Sequence, residues 1–156
     1  MKFLHSYAAF PLTQPNLRSN HPQQPHPGTC WDVSSNETLT HNGGSDSLSI
    51  ASAARFALAH WDVDPHRVFA VGTSSGAMMT SVLAGAYPDV FRAGIVDSGV
   101  AFGCFALPAQ PEDSWSNLCA DGELVLTGRE WARKVFEAFP GFRGERPKMQ
   151  VWHGTA

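Results

Sequence analysis

The part of this sequence that most limits its fold is a serine between two glycines, directly after an apolar run. Residues 68–71 (VFAV) lead into residues 72–76 (GTSSG), and mostly small and apolar residues follow up to Pro88. The apolar run predicts a buried strand, and the segment behind it predicts a helix that ends at the proline. The pattern Gly-x-Ser-x-Gly between a strand and a helix is typical of a nucleophile elbow. The sequence therefore predicts a serine raised above the carboxyl end of a strand.

Each position of the predicted elbow has a physical reason. The turn forces Ser74 into a strained backbone conformation, while Gly72 and Gly76 lack Cβ atoms and let neighbouring backbone approach. The N–H group of Ser75 lies at a helix N-terminus, where it favours negative charge on a reacting oxygen. We therefore expect Ser74 to be the catalytic nucleophile and Ser75 to supply an oxyanion-hole donor. The plain alternative is a helix start that is capped by Ser74 or Thr73.

A serine nucleophile needs a base and an orienting carboxylate, and the sequence offers few partners for Ser74. In this fold class the order along the chain is Ser, then Asp or Glu, then His. The only histidine downstream is His153, and Asp97 lies within the next apolar run. One interpretation pairs Asp97 with His153. The other makes both of them structural residues at strand ends.

The rest of the chain alternates helices with short apolar strands. Helices are predicted at 45–61, 75–87 and 128–138, and strands at 68–72, 94–102 and 148–152. Strands without polar alternation indicate a parallel sheet with helices on both faces, the α/β class. Residues 11–28 are rich in Pro, Gln, Asn and His, so we expect a disordered or irregular N-terminal segment over 1–28 and one partial domain over 29–156.

Composition excludes several classes of function. The formal net charge is −3 and there is no basic block, so nucleic acid is not an expected partner. No apolar stretch reaches the ~18–20 residues of a membrane helix. No phosphate loop, dinucleotide fingerprint or metal-ligand spacing is present, so we expect neither cofactor nor metal, and we expect a monomer.

Three cysteines and one sequon bear on where the protein is located. Cys104 and Cys119 bracket a loop-like stretch, which allows a short-loop disulfide and leaves Cys30 alone. The alternative is three reduced, buried thiols. Asn36 begins a glycosylation sequon, which is used only in a secreted chain. The N-terminus does not carry a convincing signal peptide.

Three separated blocks carry a resemblance to a known family, in order along the chain. They are CWDVSSNETLTHNGGSDSLSI (30–50), VFAVGTSSGAMMTSVLAGAYPDVFRAGIVDSGVAFGC (68–104) and RPKMQVWHGTA (146–156). They resemble the fungal secreted esterases of carbohydrate esterase family one, the acetylxylan and feruloyl esterases, which are related to poly(3-hydroxybutyrate) depolymerases. The resemblance covers about residues 27–156.

The resemblance implies an α/β-hydrolase-type, mostly parallel sheet that is incomplete at both ends, and an extracellular location. It assigns the nucleophile to Ser74 and an oxyanion-hole N–H to Ser75. It places Trp31 near the mouth of the site, either as a substrate contact or as a packed loop anchor. The implied function is removal of acyl groups, acetyl before feruloyl, from xylan-type polysaccharide.

The sequence departs from this family pattern at both ends. In the family the strand ending His-Gly precedes the catalytic aspartate, so His153 matches a motif residue and the chain stops one residue before that aspartate. A cysteine that would pair with Cys30 is also missing. We therefore expect a partial chain that is a weak or inactive esterase. The alternatives are a catalytically dead fragment that at most binds polysaccharide, and an intracellular lipid or peptide hydrolase with a helical lid and free thiols.

Overall fold

The computed structural model describes the backbone of residues 7–11 and 17–20 and the whole of residues 30–106 and 116–154. The strands are β1 (Tyr7–Pro11), β2 (Leu17–Asn20), β3 (Phe69–Thr73), β4 (Ala93–Asp97) and β5 (Lys148–Trp152). The helices are α1 (Asn36–Leu39), α2 (Ser45–His60), α3 (Ser75–Ala86), α4 (Asn117–Ala120) and α5 (Gly128–Glu137). In these residues no helix is long and apolar enough to cross a bilayer.

The strands form one sheet in the order β2-β1-β3-β4-β5. Strands β3, β4 and β5 are parallel, and their last residues Thr73, Asp97 and Trp152 lie side by side. The predicted strand–helix–strand alternation around residues 68–97 is confirmed, with β3 shifted by one residue from the predicted bounds. A parallel pair needs a crossover connection, and α3 supplies it between β3 and β4.

The predicted strand at 94–102 is shorter in the structure, because β4 ends at Asp97. The next residue, Ser98, has a φ of 56°, a left-handed conformation that no strand continues. Gly99 follows it, and a Cβ there would lie 2.6 Å from the Cβ of Ala77. The chain therefore turns at this point and passes close to the start of α3.

Two strands lie where the sequence predicted a disordered or irregular segment. β1 pairs antiparallel with both β2 and β3, so residues 7–11 and 17–20 extend the sheet by main-chain pairing. Such pairing uses backbone N–H and C=O groups, so the side chains of these residues did not reveal it. The rest of residues 1–28 lies outside the described residues, and the domain boundary at residue 28 stays a prediction.

Helix α3 packs against one face of β3 and β4 and carries the centre of the core. Its inner side is made of small and apolar residues that are almost fully buried, and Gly94 of β4 lets α3 approach closely. The opposite face of the sheet, with Phe69, Val71 and Ile95, is half-buried or exposed. Within the described residues the helices therefore cover one face. The largest fully buried apolar side chains are Tyr87, Phe91, Met79, Val68 and Val82.

The cysteines follow one of the two interpretations drawn from the sequence. Cys104 and Cys119 form a disulfide with a Cα–Cα distance of 5.8 Å, and both are buried. Cys30 is a free, exposed thiol. The alternative of three buried, reduced thiols is therefore wrong for this structure.

Candidate active site

Ser74 occupies a sharp corner between a strand and a helix. β3 ends at Thr73 and α3 begins at Ser75, and Ser74 between them has φ 57° and ψ −122°. A serine in this region costs on the order of 1–3 kcal/mol, so the surrounding structure must hold it there. The Ser74 N–H donates to the Asp97 carbonyl at 3.0 Å, and its carbonyl accepts from the N–H groups of Ala77 and Met78. The side chain is exposed at the carboxyl end of the sheet.

The glycine two residues before Ser74, Gly72, is required by close backbone contact. A Cβ on Gly72 would lie 2.1 Å from the carbonyl oxygen of Gly76 and 2.7 Å from the nitrogen of Ala77. These atoms are backbone and belong to the first turn of α3, so they are less free to move than the end of a side chain. The structure thus explains why position 72 of the Gly-x-Ser-x-Gly pattern is a glycine.

Ser75 is the first residue of α3, and its side chain is 1% exposed. Backbone N–H groups in the first turn of a helix point out of its end, where the helix dipole favours negative charge. An oxygen that develops charge above Ser74 would therefore meet a favourable field from this end of α3. Met78 and Met79 are buried on the same helix, so they belong to the core as their spacing indicates.

Asp97 ties the strand ends together beside the corner. Its carboxylate accepts hydrogen bonds from the Thr73 hydroxyl at 3.4 Å and the Ser98 hydroxyl at 3.3 Å. The Ser98 N–H in turn donates to the Trp152 carbonyl at 2.9 Å. These contacts link the carboxyl ends of β3, β4 and β5. Asp97 is therefore a structural neighbour of the corner, a role that the sequence left open.

The pairing of Asp97 with His153, one of the two interpretations drawn from the sequence, is not formed. In the described part of the chain, no hydrogen bond or ion pair joins these two residues, and the His153 side chain is exposed. The physical reason is that the Asp97 carboxylate is held by hydroxyls at the ends of its own and the adjacent strand. Over the same residues, no side chain hydrogen-bonds the Ser74 hydroxyl, so no base is in place there.

The loop before α1 is organised by a buried carboxylate that the sequence analysis did not single out. Asp32 is 7% exposed. It accepts hydrogen bonds from the hydroxyls of Ser35 and Ser45 and from the N–H groups of Ser34 and Ser35. Burial alone raises the pKa of this carboxyl, but these donors outweigh it and hold the pKa below its ordinary value. The signal in the sequence was an aspartate followed closely by two serines, a pattern typical of side chain-to-backbone turns.

Trp31 does not present an exposed ring to a substrate. It is 5% exposed and belongs to the main hydrophobic core. This burial corrects the expectation of a substrate contact and fits the alternative of a packed loop anchor. Asn36, the sequon asparagine, is exposed at the first residue of α1. The sequon threonine, Thr38, is buried and its hydroxyl donates to the Asp32 carbonyl at 3.0 Å.

Comparison with known proteins gives one family for this chain. Residues 7–110 match the model of the Esterase PHB depolymerase family. The chain is 48% identical over 136 residues to acetylxylan esterase A of Emericella nidulans, and 47% identical over 135 residues to acetylxylan esterase A of Aspergillus oryzae. These matches cover 87% and 86% of this chain but 45% and 44% of the relatives.

A solved structure gives the same result at the level of the fold. The acetyl xylan esterase from Aspergillus awamori superposes with a TM-score of 0.79 at 45% identity, over 83% of this chain and 47% of the other. The chain thus spans less than half the length of the relatives that it matches. Its sequence, its fold and the geometry at Ser74 agree: this chain belongs to the Esterase PHB depolymerase family.

Proposed function

We propose that the chain carries the nucleophile of a serine carboxylic-ester hydrolase and that Ser74 is that nucleophile. The observation that carries the proposal is the exposed Ser74 hydroxyl on a strained corner at the start of α3. The Ser74 oxygen attacks the ester carbonyl carbon, and the charge on the carbonyl oxygen is met by the Ser75 N–H. The alcohol then leaves with a proton, and water hydrolyses the acyl-serine. All these groups lie in one chain, so the chemistry itself needs only a monomer.

The proposed substrate is a xylan-type polysaccharide that carries acyl esters, with acetyl favoured over feruloyl. The names of the relatives support this choice, because all those described above are acetylxylan esterases. A polymer also needs a reacting group that stands at the surface, and Ser74 does so. We further propose an extracellular location, which the Cys104–Cys119 disulfide supports. Asn36 would then be an exposed acceptor for a glycan.

We expect this chain by itself to be a weak esterase. Where the base is missing, binding and oxyanion donors in a fully built site leave on the order of 10³–10⁴-fold acceleration over water. Within the described residues no base contacts Ser74, so the acceleration here should lie below that range. The same observation favours the second candidate, a catalytically dead fragment that at most binds polysaccharide.

The two candidates differ in whether ester cleavage depends on Ser74. Acetate release from acetylated xylan should be slow but measurable with the chain as it stands, and it should disappear in Ser74→Ala. Ser52→Ala removes an exposed hydroxyl from α2 and serves as the matched control, with unchanged release. Ferulate release from feruloylated arabinoxylan should be slower than acetate release. If acetate release is no higher than in Ser74→Ala, the esterase proposal fails for this chain and the dead fragment stands.

A further inference from the structure

The fold divides the glycosylation sequon Asn36–Thr38 between the surface and the interior. Asn36 is exposed at the first residue of α1, whereas Thr38 in the same helix is 0% exposed. Residues two apart in a helix lie about 200° apart around its axis, so these two side chains leave the helix on nearly opposite sides. In an extended chain the same two side chains lie on one side. Folding therefore separates two groups that the unfolded sequon holds together.

Thr38 is held in place by hydrogen bonds through its hydroxyl, its N–H and its carbonyl. The hydroxyl donates to the Asp32 carbonyl at 3.0 Å, and the N–H donates to the Ser35 hydroxyl at 3.2 Å. The Thr38 carbonyl accepts from the Ser47 hydroxyl at 2.7 Å. The three partner residues are themselves buried. All these contacts lie within residues 32–47, so they do not depend on segments beyond the ends of this sequence.

We propose that an oligosaccharide is transferred to Asn36 only while this region is unfolded, and that folding of α1 and its loop closes the site. The sequon requires an asparagine and a hydroxyl residue two positions later, so the transferase must reach both groups. In the folded chain the Thr38 hydroxyl is buried and its proton is engaged by the Asp32 carbonyl. The inference rests on the extracellular location proposed above and not on the chemistry of Ser74.

The transfer joins the Asn36 side chain to a sugar carried by a lipid diphosphate, which a secreting host supplies. The amide nitrogen of Asn36 attacks the anomeric carbon of the first sugar, and a nitrogen–carbon bond forms. The bond between that carbon and the diphosphate oxygen breaks, the nitrogen loses one proton, and the lipid diphosphate leaves. Because Asn36 is exposed in the described residues, the attached glycan then remains at the surface when Thr38 becomes buried.

The hydrogen bonds of Thr38 set how strongly the folded chain resists transfer. A typical hydrogen bond favours the closed state by a factor of about 5. The region must lose all three to present an extended sequon, so transfer to the folded chain should be on the order of 100-fold slower than to an unfolded segment. Removal of the Ser47 hydroxyl alone should make transfer to the folded chain about fivefold faster.

The test uses a purified oligosaccharyltransferase with a dolichyl diphosphate oligosaccharide, and mass spectrometry reads the glycan on each asparagine. The substrates are the folded chain without glycan and a synthetic peptide of residues 31–41. The peptide should be modified at Asn36, and the folded chain about 100-fold more slowly. As a matched control, Glu123→Asn with Val125→Thr places a second sequon in the same folded chain. It lies where the structure has neither helix nor strand and residue 125 is 85% exposed, so residue 123 should be modified rapidly.

Ser47→Ala tests the cause, with Ser52→Ala on the exposed side of α2 as a control that should leave the rate at Asn36 unchanged. If Ser47→Ala does not fold, the comparison of the two sequons in one folded chain still decides. Transfer to Asn36 in the folded chain less than about tenfold slower than to the peptide would overturn the proposal. So would a peptide that is not modified, or equal resistance at both sequons, since the burial of Thr38 would then not be the cause. None of these outcomes changes acetate release by Ser74, so the two proposals fail separately.

Discussion

Replacing Gly72 by alanine tests the backbone contact that defines the corner at Ser74. The added Cβ would lie 2.1 Å from the Gly76 carbonyl oxygen, 2.2 Å from its carbonyl carbon and 2.7 Å from the Ala77 nitrogen. Ordinary contacts are more than an ångström longer than the shortest of these, so β3 and the first turn of α3 must move apart. Inserting one methyl group into a packed site costs about 1–3 kcal/mol, and a backbone clash belongs at the upper end.

We take about 3 kcal/mol as the loss of folding free energy for Gly72→Ala. For a chain of this length each kcal/mol lowers the melting temperature by about 2–4 °C, so the melting temperature should fall by about 6–12 °C. Thermal and urea unfolding followed by circular dichroism measure this loss. The matched control is Gly128→Ala at the start of α5, where a Cβ would meet nothing within 4 Å.

The control substitution should be neutral or stabilise the fold by up to about 1 kcal/mol, because it restricts the unfolded chain without a clash. Gly72→Ala should also slow any reaction at the Ser74 hydroxyl, since the displaced corner moves that oxygen. If Gly72→Ala and Gly128→Ala unfold at the same temperature, the close approach of β3 and α3 is wrong, and the explanation of the glycine pattern fails with it.

Three further substitutions test the supports of the fold. Because the pKa of Asp32 is held below its ordinary value, its carboxylate stabilises the fold at neutral pH and this contribution is lost as pH falls through the folded pKa. Asp32→Asn should therefore lower the free energy of unfolding by about 2–3 kcal/mol at pH 7 and by less in acid. The control Asp62→Asn, at an exposed position, should change it little. Equal losses for Asp32→Asn at both pH values would contradict this. Cys104→Ser opens a disulfide that spans 15 residues and should lower the free energy of unfolding, measured in urea, by about 3 kcal/mol. The control Cys30→Ser, at a free exposed thiol, should leave it unchanged. Thr127→Ala removes the capping box of α5 and should cost about 1 kcal/mol, and no change in unfolding would mean that this helix start is not held by its cap.

The strand–turn–helix around Ser74 could be predicted because local sequence specifies it fully. The apolar run fixes the strand, the small residues fix the close packing of the helix, and the glycines fix the corner. The strand at 148–152 was predicted with its bounds for a similar reason, as a short apolar stretch after polar turn residues. These elements depend on contacts between near neighbours in the sequence or on patterns with a clear period.

The elements that the sequence did not reveal depend on distant partners. β1 is held by main-chain pairing to β3, about sixty residues away in the sequence, and β2 is held by pairing to β1. β4 ends because Ser98 adopts a left-handed backbone conformation. A serine in the sequence does not by itself indicate that conformation. The position of Trp31 in the core depends on packing across the whole loop before α1, so the sequence alone left both a substrate contact and a packed loop anchor open.

The sequence predicted the nucleophile of the candidate site but not the contacts of the residues around it. Ser74 and Ser75 follow from a local pattern, whereas the contacts of Asp97 follow from the register of β3 and β4. The Asp97 carboxylate contacts the hydroxyls of Thr73 and Ser98, which fits the interpretation of Asp97 as a structural residue at a strand end. The glycine at position 99 could not be explained from the sequence either. Ala77 on helix α3 leaves no room for a Cβ there, and only the fold brings these two residues together.

The most direct test of the central claim is chemical labelling of Ser74 with a small fluorophosphonate, read by peptide mapping and mass spectrometry. The exposed Ser52 on α2 is an internal control, because it sees the same reagent at the same pH. A serine lifted on a corner at the start of a helix should form the phosphonyl adduct faster than Ser52, but slowly in absolute terms because no base among the described residues contacts it. Adduct on Ser74 at or below the rate of Ser52 would contradict the account.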